Sequence, residues 1–209
     1  MIFETELHLT LYFLAIINPL SKVFILSTYL KDMGEDELHI LSIRSSVVAL
    51  TILFFMVFAG NFILENIFHV ELYSLRMAGG IVFLYMGFKA LTHGIFYEIQ
   101  STKLDELSIV PFASPLIAGP AVIVASISFA AEYGSITTLT SLTIAVAVNL
   151  MMMLSSRYIG GFLLKHNIMG AIIRLTGLIV LAIAVQMILT GAGDWLQTTI
   201  SALEITEYS

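Results

Sequence analysis

The sequence predicts an all-α membrane protein, a single transmembrane domain over residues 1–209 with six spanning helices arranged as two inverted three-helix repeats. Three observations lead there. Of 209 residues, 58% are hydrophobic and 11% charged, about half the charged share of a soluble domain, so much of the surface must face lipid. Apolar runs near the ~20 residues needed to cross a bilayer recur six times. The two halves also match each other at nearly constant spacing.

In chain order the six segments are Leu7–Leu30, Ser42–Leu64, Leu72–Leu91, Ile109–Ala131, Ile136–Ser156 and Ile168–Thr190. The first has Glu4 and Glu6 on its flank instead of basic residues, a long apolar run and no small-residue cleavage site. It is therefore expected to be a retained helix, not a signal peptide. Nearly all ionisable residues fall between segments. With the N-terminus outside, Lys31, Arg44, Lys89, Lys103, Arg157, Lys165 and Arg174 lie on the cytoplasmic side and only Arg76 on the other. The positive-inside rule then places both termini outside the cytoplasm of a prokaryotic inner or plasma membrane.

The repeat is read from three collinear matches. Gly60-Asn61-Phe62-Ile63-Leu64 lies over Gly160-Gly161-Phe162-Leu163-Leu164, an offset of 100. Arg76-Met77-Ala78-Gly79-Gly80 lies over Arg174-Leu175-Thr176-Gly177-Leu178, an offset of 98, and Asn18-Pro19 corresponds to Gly119-Pro120, an offset of 101. Repeat 1 covers about residues 1–96 and repeat 2 about 105–195. A unit of three spans begins and ends on opposite sides, so its second copy is inverted, an architecture found among secondary transporters.

All four prolines sit in the first segment of a half: Pro19, then Pro111, Pro115 and Pro120. Pro19 and Pro120 lie roughly 17 Å into their segments at ~1.5 Å per residue, near the middle of a ~30 Å hydrocarbon core. Proline removes its own N–H and crowds the carbonyl four residues earlier, which would release the carbonyls of Ala15 and Leu116. Lipid does not tolerate free carbonyls, so two such breaks point to a protein-lined or wet site at the midplane. Asn18, Ser21 and Ser114 lie within a turn of the breaks, and Gly119 permits close backbone approach. The candidate substrate-binding set is therefore Asn18, Pro19, Ser21, Lys22, Ser114, Pro115, Gly119 and Pro120.

At these residues the chain resembles the MarC family. The matching stretches are Ile17-Asn18-Pro19-Leu20, Arg76-Met77-Ala78-Gly79-Gly80, Val110-Pro111 through Pro115-Leu116-Ile117-Ala118-Gly119-Pro120, and Arg174-Leu175-Thr176-Gly177 with Gln186. The resemblance implies a six-helix inner-membrane protein similar to members described as transporters of small neutral amino acids such as glycine and alanine. Ser21-Lys22 departs from the uncharged residues that many members carry after the Asn-Pro motif.

Lys22 is the one ionisable residue well inside a segment, where a charge costs roughly 2.5–3.5 kcal/mol on insertion scales. Either its stem snorkels toward the headgroups, or its ammonium holds a substrate carboxylate or stands in for a coupling cation. Arg76 and Arg174 begin the third segments of the two halves, either as interfacial anchors or as alternate gates, with Glu71 a candidate acid for Arg76. Gly79, Gly80 and Gly177 suit close helix packing. Segment interiors lack Asp, Glu and His, which disfavours a proton relay through embedded carboxylates. Coupling to sodium remains open.

Zero cysteines exclude a thiolate metal site and a cysteine nucleophile. No His-Glu-x-x-His motif occurs, so neither an enzyme nor a bound metal or cofactor is expected. A net charge of −6 with acidic tails argues against nucleic-acid binding. The expected partners are the lipid bilayer, a small-molecule substrate and, as an open possibility, a second copy of the chain. A channel or a structural membrane subunit is the alternative to a carrier.

Overall fold

The computed structural model describes residues 2–28, 34–94, 116–166 and 168–207, and every regular element among them is helical. Helix α1 (Ile2–Ile17) is followed across one residue by α2 (Pro19–Thr28). Helix α3 (Glu35–Phe62) starts with Glu37 accepting the Gly34 N–H at 2.9 Å, the glutamate half of a capping box, since glycine has no side chain to supply the other, and ends in a π-helical turn, Ile63–Ile67. Next come α4 (Leu72–His93), closed by Gly94 at φ 71°, and α5 (Pro120–Tyr133). The remainder is α6 (Ser135–Leu154), α7 (Ser156–Lys165) and α8 (Met169–Glu207).

Large apolar side chains are exposed along the outside of these helices, among them Phe54, Phe58, Ile81, Tyr85, Leu175 and Leu189. A soluble surface rarely carries so much apolar area. Among the described residues, four helical stretches are long and apolar enough to cross a membrane: Phe3–Thr28, Glu35–Ile67, Ser135–Leu154 and Met169–Ser201. The expectation of six is therefore met only in part by length and composition. Arg76, Lys89 and three glycines dilute α4, while α5 is 14 residues long because Pro120 begins it.

The sixth segment was expected to end at Thr190, whereas α8 continues unbroken for 39 residues to Glu207. Glycine weakens a helix by up to ~1 kcal/mol, but Gly191 lies where a Cβ would stand 2.8 Å from the Tyr73 carbonyl oxygen of α4. Close packing there overrides the local preference. Among the described residues, α4 and α8 make the most extensive helix contact. It is built on small residues: a Cβ at Gly80 would meet the Ala184 carbonyl at 2.9 Å, and one at Gly177 would meet Ala90 Cβ at 2.9 Å.

One burial pattern recurs. Leu38, Leu41, Ser42, Ser45, Ser46, Ala49, Leu53 and Gly60, eight of the nine buried residues of α3, each have a buried counterpart 100 residues later in α6 or α7: Thr138, Ser141, Leu142, Ala145, Val146, Asn149, Met153 and Gly160. Polar identity alternates between the halves, so that Ser42 faces its counterpart position as Leu142, and Ala49 as Asn149.

Candidate functional site

The break between α1 and α2 is made by backbone conformation as much as by proline. Asn18 takes φ 53°, the left-handed region, where Asn is among the few residues that fit. Its N–H still closes α1 on the Leu14 carbonyl at 2.9 Å. Pro19 then opens α2 at the position where a missing N–H costs nothing. The Ser21 N–H would ordinarily bond the Ile17 carbonyl. It turns instead to Asn18, reaching the carbonyl oxygen at 3.1 Å and Oδ1 at 3.3 Å, while Ser21 Oγ donates to the Asn18 carbonyl at 2.7 Å.

The Ile17 carbonyl is thereby left for a side chain, and Lys22 Nζ donates to it. Lys22 is only 1% exposed, so it does not snorkel. Its stem folds back toward the end of α1. Asn18 and Ser21 are buried beside it, and Asn18 Nδ2 has no hydrogen-bond partner among the described residues. The carbonyl engaged is that of Ile17, not of Ala15 as the proline rule alone would have it.

In the second half, Leu116 and Ile117 form a π-type turn, Gly119 is extended at φ −73°, ψ 164°, and α5 begins on Pro120. Leu116, Ile117, Ala118 and Gly119 are buried, but the Pro120 ring is exposed. Its contribution to a site is through backbone geometry alone. Ser114 and Pro115 lie outside the described residues.

A second polar region was not anticipated as a unit. Arg76 Nη1 bonds Asp194 Oδ2 at 2.7 Å and its Nη2 bonds Glu132 Oε2 at 3.0 Å, tying α4 to α8 and α5. The acid partners are thus Glu132 and Asp194, not Glu71. Arg174, by contrast, is exposed and has no ion pair among the described residues. Beneath Arg76 lies a partly open cleft of about 230 Å³ lined by His8, Tyr12, Ser128, Phe129, Tyr133 and Gln186, among others. Phe129 stacks edge-on against Tyr12 and Phe13 at 4.9 and 5.6 Å, joining α5 to α1. Ser128 Oγ is buried without a partner among the described residues. The Tyr133 phenol is pushed above its ordinary range by its hydrogen bond with Glu132 and, secondarily, by burial.

Glu132 and Asp194 escaped the sequence reading because it ended the neighbouring segments before them, at Ala131 and Thr190. The buried Ser42, Ser45 and Ser46 of α3 also went unnoticed, although their i, i+3, i+4 spacing marks one helix face. Asn149 of α6 is fully buried as well, with Nδ2 3.3 Å from Met153 Sδ. Among the described residues no cluster of three or more His, Cys, Asp or Glu could hold a metal ion.

An apolar belt around helices whose interior carries a lysine, a row of serines and an asparagine defines a polytopic integral membrane protein with a polar interior. The MarC family pattern, described as that of MarC family integral membrane proteins, matches residues 3–196. The chain belongs to this family. It is 37% identical to a UPF0056 membrane protein of Pyrococcus horikoshii, over 88% of this chain and 91% of that one. It is 27% identical to the UPF0056 membrane protein YvbG of Bacillus subtilis, over 92% and 95% of the two chains. No solved structure matches the chain.

Proposed function

We propose that the protein is a carrier of small solutes, of the small neutral amino acid class, working by alternating access around a midplane site between the breaks at Asn18–Lys22 and Ser114–Pro120. The observation that carries this reading is the break at Asn18, where a buried lysine and an amide Nδ2 with no partner among the described residues sit in the middle of an apolar stretch. Buried polar groups of that cost are kept where they line a path.

Six spans in two inverted repeats supply the architecture. The burial pattern at offset 100 supports it, and so does a contact that occurs in both halves. Gly60 of α3 packs on Ile127 of α5, and Gly160 of α7 packs on Ser27 of α2, with both members displaced by 100. The start of α4, the end of α5, Asp194 of α8 and His8 of α1 gather around one cleft. This is the arrangement expected if the Arg76 end faces outside with both termini near it, in a prokaryotic cell membrane. Arg76 then closes the outer entrance by joining three helices, whereas Arg174 remains an anchor.

Counterflow in proteoliposomes with a panel of amino acids tests the reading. Saturable exchange of a small neutral amino acid is expected, and its absence across the panel with correctly folded protein would overturn it. A C-terminal reporter that works only in the cytoplasm should be silent.

A further inference from the structure

The geometry points to Lys22 as a tethered cation, its ammonium taking at the α1–α2 break the place that a sodium ion holds in a carrier coupled to sodium. The consequence for transport rests on the carrier reading, but the site itself stands on local chemistry. The break gathers four oxygens around one free donor: the Ile17 carbonyl receives Lys22 Nζ, the Asn18 carbonyl and Oδ1 receive the Ser21 N–H, Ser21 Oγ donates to the same carbonyl, and Asn18 Nδ2 has no partner among the described residues. They lie at the C-terminal end of a 16-residue helix, where the backbone dipole is negative. Backbone carbonyls and hydroxyls at an unwound helix are the ligands that transporters offer to sodium.

Lys22 supplies one positive charge and three donors, with no acceptor capacity, so it occupies the Ile17 carbonyl, the oxygen at the break that a monovalent ion would otherwise take. Its Nζ donates to the Ile17 carbonyl from a position 1% exposed. The second half has no such charge: three residues after Pro19 stands Lys22, whereas three residues after Pro120 stands Ile123. The molecule thus carries one fixed cation at one break throughout its cycle. A substrate carboxylate entering the site meets a positive charge without any co-ion, and transport proceeds without a sodium gradient.

Removing the ammonium while keeping the oxygens should expose a sodium site. The test is thermal unfolding of the purified full-length chain in detergent, in sodium chloride and in choline chloride of equal ionic strength, for the wild type, Lys22→Met and Lys22→Gln. The wild type should unfold at the same temperature in both salts. At least one variant should unfold earlier than wild type in choline and gain a saturable rise of about 2–4 °C in sodium. A saturable sodium-specific rise in the wild type, variants indifferent to sodium, or variants that cannot be recovered folded in either salt would each overturn the inference. Unfolding reads the cation site without any substrate, so a failure of counterflow alone would sink the carrier reading and leave this result standing.

Discussion

At Asn18 the chain turns through the left-handed region and restarts as a helix on Pro19; at Gly119 it stays extended and restarts on Pro120. Both breaks place proline at the first position of a new helix, where its missing N–H is harmless. They differ in what fills the gap. The first recruits a lysine, an asparagine and a serine, all buried, while the described part of the second is walled by Leu116, Ile117 and Ala118. The comparison teaches that one backbone device can be walled in two ways: among the described residues, buried polar side chains line the first break and apolar ones the second.

Reversing the charge at the polar break should have the largest effect. In Lys22→Glu a carboxylate would face the Ile17 carbonyl in a buried setting, with an expected loss of about 3–5 kcal/mol. Little monodisperse protein should elute on size exclusion, whereas Ile123→Val at the corresponding position of the other half should elute normally.

The repeated glycine contact offers the next test. A Cβ at Gly160 would overlap Ser27 Oγ and Cβ, atoms close to the α2 backbone, while one at Gly60 would stand 2.5 Å from Ile127 Cγ1, part of a longer side chain that can swing aside. Gly160→Ala is therefore expected to cost roughly 1–3 kcal/mol, as overpacking does, and to lower the unfolding temperature more than Gly60→Ala. Equal shifts would erase the distinction between halves.

Backbone strain at the breaks predicts a smaller effect. Asn18→Ala places an alanine at φ 53°, a cost of about 1–2 kcal/mol, and also removes the Oδ1 acceptor of Ser21. Asn18→Gly relieves the strain and should recover part of the unfolding temperature. Gly119 is not in the left-handed region, so Gly119→Ala should shift stability by crowding alone.

The smallest stability change is expected at Arg76. Its partners Glu132 and Asp194 are 46% and 42% exposed, and such pairs contribute about 0.2–1 kcal/mol each. Arg76→Ala should leave abundance nearly unchanged while altering counterflow. Equal loss of both would reduce Arg76 to an anchor, the role already left to Arg174.

Much of this was legible in the residues. Composition requires lipid contact and proline placement locates both helix breaks, because apolar runs and proline chemistry act locally. Other features depended on partners distant in sequence. The continuation of α8 past Thr190 follows from Gly191 packing on Tyr73, and the acids of Arg76 come from 56 and 118 residues away. The stripe of Ser42, Ser45 and Ser46 was visible as spacing, yet serines at a helix start read equally well as a solvated end.

By itself, the sequence determined an apolar all-helical chain, the two prolines that restart helices, and a lone lysine where a charge is expensive. Only the tertiary structure decided which oxygen that lysine serves. The answer turned on the Ser21 amide choosing Asn18 over Ile17, a competition between donors and acceptors settled by the left-handed turn at Asn18 and by burial that denies every group the alternative of water.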